Sequence, residues 1–178
     1  MNAWKIFETD LIQQKPLILA GLVNTLKLAG LVSVTGLLLG IAVFYLSISK
    51  NFFIRTATNS YISFFIGMPL IVLLFLMYYG LPQWGIKCSP FTVALVGFTM
   101  NIAAYNAAYL STAFNGLDRA ELEAARAQGF STFKIFQLII LPQVLRQSIP
   151  ALTNQCIGNL KDSSVAFLRA LTVEDNVM

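Results

Sequence analysis

The residues able to do chemistry in this chain are binding groups rather than a reaction centre. Histidine is absent, which removes the commonest metal ligand and general base. Cys88 and Cys156 fit neither a metal-ligand spacing nor a disulfide framework, and they read as small buried residues. No GxxxxGK[ST] pattern is present, so no phosphate-cradling loop for ATP is encoded, and neither a metal nor a cofactor is expected on this chain. The polar groups stand in two places. Asn101, Tyr105, Asn106 and Tyr109 recur at helical spacing inside an apolar run. They line either an aqueous path or a contact between helices, because polar residues in a span turn toward the bundle interior. Lys161 and Asp162 are adjacent opposite charges at the end of another apolar run, where such a pair serves as an interfacial anchor or meets a ligand.

A third group is organised by the backbone. Asp118 followed by Glu121 has the form of a capping box, and the run from Arg119 through Glu123, Ala124, Ala125, Arg126 and Ala127 to Gln128 consists of strong helix formers. Gly129 ends that helix, since glycine enters the left-handed conformation without a Cβ clash. Ser131 then caps a second short helix over residues 132–138. The product is a helix-glycine-helix elbow, small at its apex and charged around it. It is shaped either to lie in another protein's groove or to serve as an ordinary loop between two membrane spans.

The elements that position these groups are set by lipid. Of the 178 residues 57% are hydrophobic and 11% charged, with mean hydropathy +0.71; a soluble domain carries roughly a quarter charged residues. That excess requires the bilayer as solvent. Residues 1–16 mix Trp4, Ile6, Phe7 and Leu11 with charges and read as an amphipathic surface segment. A first span is expected over 28–48, with Lys27 at its edge and Gly30, Gly36 and Gly40 inside it. A second is expected over 60–79 with Gly67 and Pro69 as internal breakers, whose freed carbonyls need partners on neighbouring helices. An interfacial turn over 80–90 leads to a third span over 91–114 and, after the elbow, a fourth over 145–160. The twelve basic residues are dispersed singly and act as topology signals. Lys50, Arg55, Arg119, Arg126, Lys134 and Arg146 outweigh Lys15, Lys27 and Lys87, which puts the elbow in the cytoplasm and the N-terminus outside.

Glu123-Ala124-Ala125, three residues, Gly129, nine residues, then Ile139-Ile140-Leu141-Pro142 resembles the signature loop of permease subunits of binding-protein-dependent ABC importers. The segments Asn24-Thr25-Leu26-Lys27-Leu28, Gly67-Met68-Pro69-Leu70, Tyr79-Gly80-Leu81-Pro82, Leu141-Pro142-Gln143-Val144-Leu145-Arg146 and Leu160-Lys161-Asp162-Ser163-Ser164 resemble the polar amino-acid branch. The resemblance implies an all-α polytopic transmembrane bundle with a permease domain over 17–167, a cytoplasmic coupling loop at about 115–142, and an atypical end over 168–178. It implies four visible spans, whereas relatives continue past the Lys-Asp segment into a further one.

The resemblance further implies a bacterial inner-membrane subunit that imports polar amino acids. Its partners would be an ATPase dimer that binds the ATP, a second permease subunit (identical or paralogous) and an extracytoplasmic solute-binding protein. Glu123, Ala124, Ala125 and Gly129 would meet the ATPase, while Asn101, Tyr105, Gln155, Lys161, Asp162 and Ser163 would line the substrate path. A Lys and an Asp side by side suit a ligand bearing one carboxylate and one ammonium. The chain departs from the pattern at Ile66 and Met68, where relatives have Arg and Thr, and at Thr112 and Asn115, where they have Glu and Arg. It is also about one helical turn shorter between Asn115 and Glu123. These departures keep open an alternative, a degenerate or truncated subunit that assembles without transporting.

Overall fold

The computed structural model describes the backbone of residues 3–174 and the side chains of residues 19–162 together with Lys15. The expectations for residues 1–16, for Ser163 and for the 168–178 end concern side chains outside those described.

The first helix, α1 (Ala3–Ser47), is longer than its apolar core suggests, and among the described residues its apolar stretch covers Leu19–Ser47, beginning upstream of the expected 28. Lys27 lies within this stretch and is exposed. A single lysine is a good helix former and can reach the interface along its own stem, so it marks no boundary.

The expected second span is instead two helices, α2 (Phe52–Gly67) and α3 (Leu70–Gly80), bent by 100° across Met68 and Pro69. Asn51 caps α2 by accepting the Phe53 N–H at 3.0 Å. Met68 is extended, at φ −97° and ψ 125°, as the residue before a proline prefers. A 3-10 turn, Leu81–Trp84, and Gly85 at φ +81° lead out of α3.

Helix α4 (Pro90–Asn115) is the most buried of the spans. Pro90 occupies its first turn and Ser89 accepts the Thr92 N–H at 3.1 Å, a start in which the missing proline donor costs nothing. Its alanines at 103, 104 and 107 are fully buried. Gly36 and Gly40 of α1 pack directly on it: a Cβ at Gly40 would stand 2.7 Å from the Asn106 Cβ, and one at Gly36 2.7 Å from Ile102 Cγ2. Thr35 meets Thr99 at 2.9 Å and Ser47 meets Ser111 at 3.4 Å. The same sequence offset at both ends makes α1 and α4 parallel. The chain between them must therefore cross back, so the broken pair α2–α3 counts as one span and the described residues make four crossings.

After α4 come the short helix α5 (Arg119–Ala127) and then one continuous helix: α6 (Thr132–Ile135), a π turn at Phe136–Ile140, and α7 (Leu141–Glu174). The break expected near residue 138 does not occur, and the fourth span, Thr132–Asp162 among the described residues, starts well before the expected 145. Pro142 has no N–H and its ring would strike the carbonyl four residues back in a regular helix. The wider π turn just before it, closed by the Leu141 N–H on the Phe136 carbonyl, makes room. Pro150 is also carried inside α7. Cys88 and Cys156 are exposed rather than buried.

Candidate coupling elbow and membrane path

The elbow is a fixed corner. Asp118 caps α5 by accepting the Ala120 N–H at 2.9 Å, and Ser131 caps α6 by accepting the Lys134 N–H at 3.4 Å. Between them the Phe130 N–H bonds the Ala125 carbonyl and the Gly129 N–H bonds the Arg126 carbonyl, a complete Schellman closure with Gly129 at φ +81°. The expected capping box does not close: Asp118 accepts from Ala120 rather than from Glu121, and the Glu121 carboxylate instead accepts from Gln143 Nε2 at 2.7 Å and ties α5 to the first turn of α7.

Burial divides the signature residues. Glu123, Ala124 and Gly129 are exposed, whereas Ala125 is 6% exposed and packs inward beside Leu122. That inward face joins a cluster built from the C-terminal ends of α1 and α4 and the start of α7: Phe44, Leu110, Leu117, Phe136 and Val144. Phe44 sits 5.9 Å from the Phe114 ring and 5.8 Å from Phe136, while Tyr45 is 4.6 Å from Phe136. Three spans therefore hold the elbow through one core. Leu122 and Gln143 were not singled out in the sequence. Leu122 was detectable as the lone large apolar residue in a charged helix; Gln143 carried no signal.

The polar stripe of α4 splits. Asn101 is 5% exposed and donates Nδ2 to the Phe65 carbonyl at 2.9 Å, so it braces α2 rather than facing a cavity. Tyr61 supports the same joint by donating to the Met100 carbonyl at 2.7 Å. Asn106 is buried against Gly40. Tyr105 and Tyr109 are half-buried with ring centroids 6.4 Å apart. Tyr109 donates its hydroxyl to Gln155 Oε1 at 3.3 Å, and Gln155 Nε2 donates to Asn159 Oδ1 at 3.2 Å. Ser148 closes the same contact from α7 onto the Tyr109 carbonyl at 3.5 Å. Asn159 is 2% exposed and its Nδ2 has no partner. A polar relay thus joins α4 to α7, and Lys161 and Asp162 follow it in α7, both exposed. The structure brings Tyr105, Tyr109 and Gln155 to one seam and turns Asn101 to another.

Comparison with known proteins agrees with this geometry. Residues 33–168 match the family described as "Binding-protein-dependent transport system inner membrane component". The Bacillus subtilis (strain 168) protein named "Probable amino-acid ABC transporter permease protein YckA" is 36% identical over 162 residues, 90% of this chain and 72% of that protein. The "Arginine transport system permease protein ArtQ" of the same organism is 35% identical over 155 residues, 86% of this chain and 71% of that protein. The structure described as "Crystal structure of an amino acid ABC transporter with histidines" superposes with a TM-score of 0.80 at 30% identity, covering 95% of this chain and 82% of that one. An inward-facing structure of the MetNI methionine ABC transporter shares the fold, with a TM-score of 0.70 at 22% identity over 84% of this chain and 72% of that one. With four crossings, an elbow bolted to three of them, and a family match over most of its length, the chain belongs to the inner-membrane components of binding-protein-dependent transport systems.

Proposed function

We propose that the chain is the translocating membrane subunit of an ATP-driven importer of polar amino acids. The observation that carries this reading is the elbow: an exposed face at Glu123, Ala124 and Gly129 backed by a core shared with α1, α4 and α7. A displacement applied to that face has no loose loop in which to dissipate, because every turn of the corner is capped. The force comes from a separate ATPase dimer, which binds and hydrolyses the ATP; this chain needs no cofactor of its own. A solute-binding protein delivers the substrate on the outer side, and a second permease subunit completes the path. The elbow lies in the cytoplasm and the N-terminus outside. Lys50 and Arg55 support that orientation, since they follow α1 at the same end of the bundle as Arg119, Arg126 and Lys134.

Within the membrane, the substrate passes Lys161, Asp162 and Ser163 on its way inward and then runs beside Tyr105, Tyr109 and Gln155. A ligand with one ammonium and one carboxylate suits paired opposite charges, and the uncharged relay gives hydrogen bonds without holding it by a full charge. The test is reconstitution of the complete importer in vesicles, measuring uptake of labelled polar amino acids and the ATP turnover they stimulate. Uptake of a polar amino acid with coupled hydrolysis supports the reading. Stable assembly with hydrolysis that responds to none of them contradicts it.

A further inference from the structure

The coupling helix differs on its two flanks. With 3.6 residues per turn, Ala120, Ala124 and Ala127 form an exposed ridge opposite the buried Leu122 and Ala125. One flank carries Glu121, engaged with Gln143. The other carries Arg119, Glu123 and Arg126, which border a cleft of about 270 Å³ walled by Phe114, Asn115 and Leu117. None of these three charged groups forms an ion pair with another described residue. The cleft thus holds two guanidiniums against one carboxylate, beside Phe114 and Leu117.

We infer that this cleft receives an acidic side chain of the ATPase subunit and so fixes the direction in which the helix lies in its groove. The inference rests on the coupling reading proposed above. An alanine ridge permits close approach but looks the same from either end; charge of opposite sign on its two flanks does not. Guanidinium binds carboxylate bidentately, with a fixed geometry that a lysine cannot reproduce. An anionic lipid headgroup would satisfy the same cations, but the cleft opens beside the ridge that a docked subunit must cover, which favours the protein partner.

The test uses the whole importer in a nonionic detergent free of anionic lipid, with retention of the ATPase on affinity purification as readout. In parallel, cross-linking from Ala127→Cys on the ridge reports docking independently of the cleft. Joint reversal, Arg119→Glu with Arg126→Glu, is expected to weaken ATPase association by about tenfold or more and to flatten its salt dependence. The neutral pair Arg119→Gln with Arg126→Gln is expected to fall between reversal and wild type, which guards against misfolding as the cause. Unchanged association of both pairs while the Ala127→Cys cross-link still forms overturns the inference and leaves the coupling reading standing. Failure of that cross-link in the otherwise unaltered protein overturns the coupling reading, and the inference with it. Loss seen only in vesicles containing phosphatidylglycerol, and not in detergent, overturns the inference in favour of a lipid headgroup.

Discussion

Asn101 donates its side-chain amide to the carbonyl of Phe65 at 2.9 Å, and that carbonyl is the one Pro69 leaves without a helical donor. A residue at position 69 with an N–H would have served it from within the helix; proline cannot. The sharp turn between α2 and α3 is therefore completed from α4. Replacing Asn101→Leu keeps the branched shape and removes the donor, leaving a buried carbonyl unpaired at a cost of about 1–3 kcal/mol. Thermal unfolding of the purified chain in detergent should show a lowered midpoint; an unchanged midpoint would mean another donor serves Phe65.

The parallel seam between α1 and α4 depends on absent side chains. Gly40→Ala places a Cβ 2.7 Å from the Asn106 Cβ and 3.2 Å from the Ala103 carbonyl oxygen, and backbone cannot step aside as a flexible side chain can. We expect a loss of about 1–3 kcal/mol, the usual cost of overpacking. Gly30→Ala on the same helix meets nothing within 4 Å and should be neutral or mildly stabilising, by up to about 1 kcal/mol. Equal effects at the two positions, measured by the same unfolding assay, would argue against this packing.

The elbow's corner rests on one left-handed residue. Gly129→Val forces a β-branched side chain to φ +81°, a strain of about 1–2 kcal/mol confined to the corner. Limited proteolysis between residues 128 and 131 should accelerate while the spans stay protected. Asp118→Ala, which removes the N-cap, should loosen the other end of α5 at a cost of about 0.5–2 kcal/mol.

Gln155 occupies the middle of the relay, accepting from Tyr109 and donating to Asn159. Gln155→Leu breaks both links at once. Uptake by the reconstituted importer should fall by about tenfold or more, while assembly with the ATPase is retained. Transport that survives the change at full rate would remove the relay from the path.

Much of this architecture is written in residue type. Gly129, Asp118 and Ser131 announce the elbow because each answers a local backbone requirement, and local requirements are visible in a short window. The breakers at Gly67 and Pro69 likewise signal an interruption, together with the need for an outside donor. The identity of that donor is a tertiary fact: Asn101 lies in the same polar stripe as Tyr109, and only packing turns one toward α2 and the other toward α7. The 100° bend is tertiary as well, since one proline is compatible with anything from a kink to a full break. Pro142 misleads in the opposite direction. It suggests a helix boundary, yet the π turn absorbs it and joins the elbow to the fourth span without interruption. Ala125 shows the same limit within the signature itself, where Ala124 and Ala125 are identical in type and only one is exposed.

That exposed alanine offers the most direct measurement. Ala124→Trp adds bulk to the face proposed for the ATPase and touches none of the core that holds α5 to the bundle. With the complete importer in vesicles, amino-acid uptake and substrate-stimulated ATP hydrolysis should both fall by about tenfold or more, while the inserted chain unfolds at its ordinary temperature. Undiminished uptake by a folded Ala124→Trp importer would contradict the claim that this face receives the driving force.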